Sequence, residues 1–363
     1  MNPHACHCVY CAAPRGGAFF GFAALRELGA ARRKNSRFHF QRGAAILMAM
    51  LTVTLVASLA AAALWQQWRS IEVEAAQRAR VQSSWILVGA LDWARLILRE
   101  DARSGGPDHL AEPWAVPLEE ARLATFFATD SNAAEQADDV QQSFISGQIT
   151  DMQSRLNVTN LITDGKPSEN DVRQFAKLFN LLGLSDAELE RLVENMRFAL
   201  DTSVDTRSGS QAPLVAQRVE QLAWMGLSPQ AVKAITPFVA ILPKRTLINL
   251  NTAPTEVIYA SIDTLDLAGA RQFVTARATS QLRTLGDARK LLGIRGEEVA
   301  DGRFGVNSGF FEVRGRLRLD QTMVLERSLV QRDGLDVKTL WRERFAAQVE
   351  AGKGGQSRSL QLP

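Results

Sequence analysis

The chain has 363 residues, enough for two or three compact units. Its 42 Lys and Arg against 39 Asp and Glu leave a formal charge of +3, and much of the excess lies ahead of Gly43. That balance speaks against a nucleic-acid partner recognised mainly by charge. All three cysteines, Cys6, Cys8 and Cys11, precede residue 43, so the remainder has no disulfide and must be held by core packing or bound ions.

The first segment carries His4, Cys6, His7, Cys8 and Cys11, metal-ligand residue types at short spacing. No fold surrounds them and the spacing matches no common zinc knuckle, so a structural zinc site, which needs a closed ligand shell, is not expected there. The stretch reads instead as a dispensable leader or as a start placed too early. Arg32, Arg33, Lys34, Arg37 and Arg42 follow.

From Gly43 to Leu64 the chain is apolar without one charge. About 20 such residues cross a bilayer's hydrocarbon core. A buried core helix is the bland alternative, but no polar stripe exists to face water, and Thr52, Thr54 and Ser58 can each bond back to their own helix. A cleaved secretory signal is a second alternative. Ala61–Ala63 imitate its cleavage site, yet the run exceeds a signal's usual apolar region. The arginines upstream place the N-terminus in the cytoplasm and the rest outside.

No proline interrupts 44–99, so the apolar run opens a long helix. Ile71, Ala75, Arg78, Gln82, Trp85, Val88, Leu91, Ala94, Arg95 and Leu98 recur at helical spacing. The apolar members of that series are expected to pack on a globular domain. Gly105-Gly106-Pro107 stops the helix. Residues 107–140 read as loop, with an acidic patch at Glu135, Asp138 and Asp139. A strand is expected over 143–151, and Arg155-Leu156-Asn157-Val158 is expected to extend the same sheet.

Residues 161–303 read as short helices with an internal echo. Gly183-Leu184-Ser185 and Gly226-Leu227-Ser228 each end one helix with glycine and cap the next with serine. Ser185 with Glu188 fits a capping box, and Pro229 suits a first helical position. Asn251 or Thr252 is expected to cap a further helix. These are helix-hairpin-helix-like units. Strands return over 309–319 and 322–330, joined at Asp320-Gln321, with Arg314, Arg316 and Arg318 on a wet face. The end from Gly352 is expected to be disordered.

Several segments are similar to the protein K family of bacterial type II secretion systems, which are minor pseudopilins. Arg42-Gly43-Ala44-Ala45-Ile46-Leu47 matches the family's basic-then-glycine junction. Ile248-Asn249-Leu250-Asn251-Thr252-Ala253-Pro254-Thr255-Glu256-Val257 is similar to its N-x-N-T-A-P-x-E-V signature. Gly305-Val306-Asn307-Ser308-Gly309-Phe310-Phe311 and Leu340-Trp341-Arg342 resemble its closing segments.

The resemblance implies an α+β pseudopilin fold: a long N-terminal transmembrane helix and an antiparallel sheet, with a large all-α insert. Its divisions are a leader over 1–43, a span from Ala44 to Leu64, and the rest of the helix with the first part of the sheet over 65–160. The insert occupies 161–303, the closing strands 304–345, and a tail 346–363.

The resemblance also implies cleavage by prepilin peptidase between Gly43 and Ala44. It places Met48 at the fifth mature residue, where most pilins carry glutamate and protein K does not. The implied role is a structural one at the tip of a periplasmic pseudopilus, anchored in the inner membrane and supporting export of folded substrates. The implied partners are the I and J types of minor pseudopilin and the major pseudopilin. Relatives carry a calcium-binding aspartate-rich loop. The matching stretch here offers Asp201 and Asp205 beside Arg207, a small share of the six to eight oxygens calcium takes, and a solvated loop is the bland alternative.

Two other classes compete. A membrane-anchored DNA-binding protein would use helix starts and tight turns, such as Leu292-Gly293-Ile294-Arg295-Gly296, to hold phosphate. The helical segment lacks a concentrated basic stripe, which argues against it. An envelope enzyme would need a convergent constellation, and no nucleophile elbow, H-E-x-x-H motif or phosphate loop is present. His109 is the one histidine after residue 43.

Overall fold

A computed structural model describes residues 42–123, 143–200, 213–293, 298–319 and 322–348. The chain divides into two units, Met1–Ser70 and Ile71–Pro363. Helix α1 runs from Arg42 to Ser104.

In the first unit every described residue from 44 to 70 is exposed. The apolar window has a mean hydropathy of 2.2 and buries nothing within the chain. Thr52, Thr54 and Ser58 donate to the carbonyls of Ala49, Leu51 and Leu55, so no side-chain hydroxyl in the run is left without a partner. Trp65 and Trp68 follow with ring centroids 5.6 Å apart, then Arg69. Paired tryptophans beside a charge are the usual marker of a membrane–water interface.

The second unit is built on a five-stranded antiparallel sheet. Its strands are β1 (Leu118–Arg122), β2 (Ser143–Asp151), β3 (Phe310–Leu319), β4 (Thr322–Asp333) and β5 (Asp336–Gln348), in that spatial order. β1 arises within the segment expected to be loop. Its short Leu-Glu-Glu-Ala-Arg run has a half-exposed edge pattern, and hydrophobic alternation is a weak signal in such a strand. β5 was not anticipated as a strand of its own. The two-residue turn before it depends on Gly334, whose φ of +56° glycine adopts without strain. The Asp320-Gln321 turn and the end from Gly352 lie outside the described residues.

One sheet face carries Ile149, Phe311, Val313, Val330 and Val337 against Leu91, Ala94 and Leu98 of α1, with Trp114 closing the layer. The buried helix series is Ser83, Leu87, Leu91, Ala94 and Leu98. The expected series is therefore corrected at its start. Ile71, Ala75 and Gln82 are exposed because packing on the sheet begins only at Ser83, and Trp85 is 71% exposed because it lies on the helix face opposite Ser83 and Leu87. Gly315 marks the closest approach: a Cβ there would lie 3.2 Å from Leu87 Cδ2. α1 stops at Gly105 and Gly106, with φ of +71° and +118°.

The opposite face is wet only in part. Arg314 and Arg316 are exposed, but Phe310 and Leu329 are buried with Met152, Ala240 and Leu242 of the segment between β2 and β3. That segment holds α2 (Glu169–Leu181), α3 (Asp186–Leu200), α4 (Pro229–Ile235), α5 (Thr255–Ser261), α6 (Leu267–Thr279) and α7 (Leu285–Leu292). They share one core, centred on Phe175, Phe179, Leu192, Leu222, Ile258 and Phe273. Leu156–Asn157 does not extend the main sheet. It pairs in parallel with Val239–Ala240, because the one-turn helix Met152–Ser154 turns the chain away at the end of β2.

The echo has a physical use that differs from the expected capping box. Ser228 caps α4 by accepting from Ala231 N at 3.2 Å, with Pro229 at the first position. Glu188 does not close a box with Ser185. Its carboxylate accepts from the backbone N and Oγ of Ser228, both at 3.2 Å. The first copy of the echo thus caps the second.

Candidate functional site

Two regions carry the residues singled out from the sequence. The first is the start of α1. Gly43 and Ala44 fall in its first turn, and Met48 in the turn that follows. Met48 is 65% exposed, amid Ile46, Leu47, Met50 and Leu51, which are exposed to a similar degree. An apolar surface of this extent needs lipid or other apolar helices around it. No carboxylate occurs from Gly43 to Ile71. Asp201 and Asp205 lie outside the described residues, as do the His4–Cys11 cluster and the Glu135–Asp139 patch.

The second region is built by the I-N-L-N-T-A-P segment. Neither Asn251 nor Thr252 caps a helix. α5 begins after Pro254 with no side-chain cap. Thr252 Oγ1 instead donates to Asp151 Oδ2. The same oxygen accepts from Ser308 Oγ at 2.6 Å and from Asn249 Nδ2 at 3.1 Å, while Asp151 Oδ1 accepts from Gln153 N at 2.7 Å. Asn251 imitates a peptide group, accepting from Leu282 N and donating to Leu282 O, both at 2.9 Å. Asn249, Asn251, Thr252, Asp151 and Ser308 are all buried. Burial pushes the Asp151 carboxyl up to about 6, against the hydrogen bonds that favour its charged form.

A cationic arm joins this cluster. Arg332 of β4 donates to Asp108 Oδ1 at 2.5 Å, to Asp101 Oδ2 at 2.6 Å and to Ser308 O at 2.8 Å. Ser308 N donates to Asp108 Oδ2 at 2.6 Å. Burial raises the Asp108 pKa, and Arg332 works against that rise. Asp101, Asp108 and Glu112 bring carboxylate oxygens within 4.8 Å of one another, a spacing that suits a metal ion. Their capacity is already used: Arg332 supplies the positive charge, and Glu112 accepts from Trp114 Nε1 at 2.7 Å and His109 N at 2.9 Å. The arrangement is a saturated polar joint between the last turn of α1, the end of β2, the helical segment and β4. It has no free nucleophile paired with a base. Asn249, Asn251 and Thr252 were legible as a motif. Asp108, Asp151 and Arg332 were not, although three polar residues inside an apolar run do announce a buried partner.

The α5–α6 turn bears on the DNA-binding reading. Lys177 Nζ donates to the carbonyls of Ile262, Asp263 and Leu265 at 2.7, 3.0 and 2.9 Å. Glu298 accepts from Thr264 N, and Asp266 from Gly269 N at 2.9 Å. A phosphate approaching this turn would meet Asp263, Asp266 and Glu298 where it needs free amides.

Comparison with known proteins agrees with this architecture. The chain matches the two models of the type II secretion system protein K family, over residues 154–244 and 248–307. Type II secretion system protein K of Pseudomonas aeruginosa is 26% identical over 312 residues, covering 80% of this chain and 88% of that protein. The Klebsiella pneumoniae protein is 25% identical, covering 82% and 94%. The crystal structure of the GspK-GspI-GspJ complex from enterotoxigenic Escherichia coli contains a chain of like fold. Its TM-score is 0.54 at 20% identity, covering 74% of this chain and 98% of that one. A long apolar N-terminal helix leading into an antiparallel sheet is the pseudopilin fold. Within that fold class, the chain is most readily compared with the type II secretion system protein K family, which it resembles over residues 154–244 and 248–307. The family is a structural one.

Proposed function

We propose that the protein caps or initiates the periplasmic pseudopilus at its tip and thereby supports export of folded proteins across the outer membrane. In this reading the N-terminus lies in the cytoplasm, α1 crosses the inner membrane once, and the second unit is periplasmic. The I- and J-type minor pseudopilins and the major pseudopilin are its neighbours.

The observation that carries the reading is Met48 in the exposed, uncharged opening stretch of α1. In a bundle of such helices a buried carboxylate at the fifth residue can neutralise the N-terminal amine of an adjacent subunit. An unpaired buried charge is expensive. A subunit with nothing above it has no such amine to meet, and Met48 avoids leaving a carboxylate uncompensated. Gold-labelled antibody raised against the helical segment should mark sheared pseudopili at one end only. Label spread along their length would remove the tip assignment.

Maturation should cut between Gly43 and Ala44, because the peptidase must approach backbone at the junction and only glycine leaves it bare. Gly43→Val is expected to abolish the mature form, seen as an unshifted precursor on gels. N-terminal sequencing of the wild-type protein should begin at Ala44. A start near Leu64 would indicate an ordinary secretory signal, and no cut a permanent anchor.

A further inference from the structure

The second unit contains a charged cleft that the role above does not use. It lies where β3, β4 and β5 meet the helical segment, and its cavity of about 40 Å³ has room for two or three waters. Arg155, Arg218, Arg314 and Arg327 all line it, as do Glu220, Glu312 and Trp341.

The ion pairs around it do not balance. Arg314 pairs with Glu312 at 2.5 Å and Arg218 with Glu343 at 2.8 Å. Arg327 is shared among Glu220 at 3.0 Å, Glu343 at 3.3 Å and, through its Nε, Glu312 at a longer 3.8 Å. Four guanidiniums thus face three carboxylates. Arg155 is the one left over. Its contact is a long 3.4 Å bond to Thr236 O, and no carboxylate lies within ion-pair distance among the described residues. Its neighbours make matters worse: burial lowers its pKa first, and the charges of Arg314 and Arg327 lower it further against the pull of Glu312. Arg314 and Arg327 also stand directly opposite each other on β3 and β4, a like-charge pair that destabilises a sheet. The Nε atoms of Arg218 and Arg327 are buried without a hydrogen-bond partner, the Glu312 carboxylate lying too far from Arg327 Nε, at 3.8 Å, to accept one. A buried donor without an acceptor is costly, and native structures rarely leave several together.

One negative charge in the cavity answers all of these at once. We infer that this cleft binds a small singly charged anion of chloride size, held by Arg155 and Arg327 and bridging the helical segment to the sheet. A short carboxylate offers the same chemistry from another source. The cation–π contacts of Arg218 and Arg327 with Trp341, at 5.3 and 5.5 Å, hold the two guanidiniums in place.

The test uses the full chain in detergent. Thermal melting is followed at equal ionic strength in sodium gluconate, whose chain a cavity of this size does not admit, in chloride and in acetate. Chloride should raise Tm by about 2–4 °C at ten times its dissociation constant. An equal rise in acetate would assign the site to carboxylates as well, and a rise in chloride alone would restrict it to halides. Arg155→Met should lose the chloride-dependent rise. If that variant fails to fold, Arg314→Gln, at an exposed position, should still weaken the rise. Crystals soaked in bromide should show an anomalous peak within contact of Arg155. A wild-type Tm that is the same in chloride, acetate and gluconate, or an increment that survives in Arg155→Met, overturns the inference.

Discussion

Arg332→Met is expected to lower the unfolding free energy by about 3–5 kcal/mol, the cost typical of removing one partner from a buried charge pair. The side chain is 9% exposed and joins Asp101, Asp108 and Ser308 O. Methionine retains much of the apolar stem packed over Phe311, where the guanidinium carbon sits 4.8 Å from the ring centroid. The loss therefore comes chiefly from two carboxylates left facing each other without a cation. Urea unfolding followed by tryptophan fluorescence measures it. Adding Asp108→Asn should recover part of the loss, since it removes one of the stranded charges. A single variant within about 1 kcal/mol of wild type would show that the joint contributes little to stability.

Asp151→Asn should change the pH dependence of stability more than its magnitude. The folded carboxyl is pushed up to about 6 from an ordinary 3.8. The folded state therefore keeps a proton that the unfolded chain releases between those values. Stability from this group is fully present below about pH 4 and is lost as pH rises through about 6. The whole swing is roughly 3 kcal/mol, at 1.36 kcal/mol per pKa unit. Asparagine holds an acceptor toward Thr252, Ser308 and Asn249 but does not titrate. The stability difference between wild type and variant should accordingly change between pH 4 and 6.5 and stay level above that. A constant difference across the range would mean that Asp151 titrates normally. Asp151→Ala should be worse than Asp151→Asn at every pH, because it strands Asn249, Thr252 and Ser308 in a buried site.

How much of this was legible depends on the range of the interactions. Periodic features read well. The apolar run beginning at Gly43, the helix stop at Gly105-Gly106 and the strand over Ser143–Asp151 follow from local composition, and local backbone geometry answers to it. Features set by distant partners did not. Thr252 looks like a cap from its neighbours, and only the fold brings Asp151 to it across a hundred residues. Glu188 fits a local box with Ser185, yet a serine forty residues on offers its backbone N–H as well as its hydroxyl. Arg155–Val158 has strand-like residues, but Asn157 is spent on Thr159 N and Leu242 N, which fold that stretch into the helical segment. Trp85 shows the converse: a large apolar residue read as part of the core series is exposed because the buried stripe runs through Ser83 and Leu87 on the opposite helix face.

The placement of β3 beside β2 also bears on the order of folding. Asp151 pairs with Phe311 although residues 152–310 separate them in sequence. Closing a flexible loop of that length carries an entropic cost of roughly 4 kcal/mol. A segment already folded brings its own ends together, since Gln153 near its start accepts from Gly309 N at its finish at 2.7 Å. The helical segment should thus form first and present β2 with a nearby strand. The chain emerges in that same sequence, with α1, β2 and the helices before β3, β4 and β5. A lesion in the helical core would then appear kinetically as a sheet that fails to close.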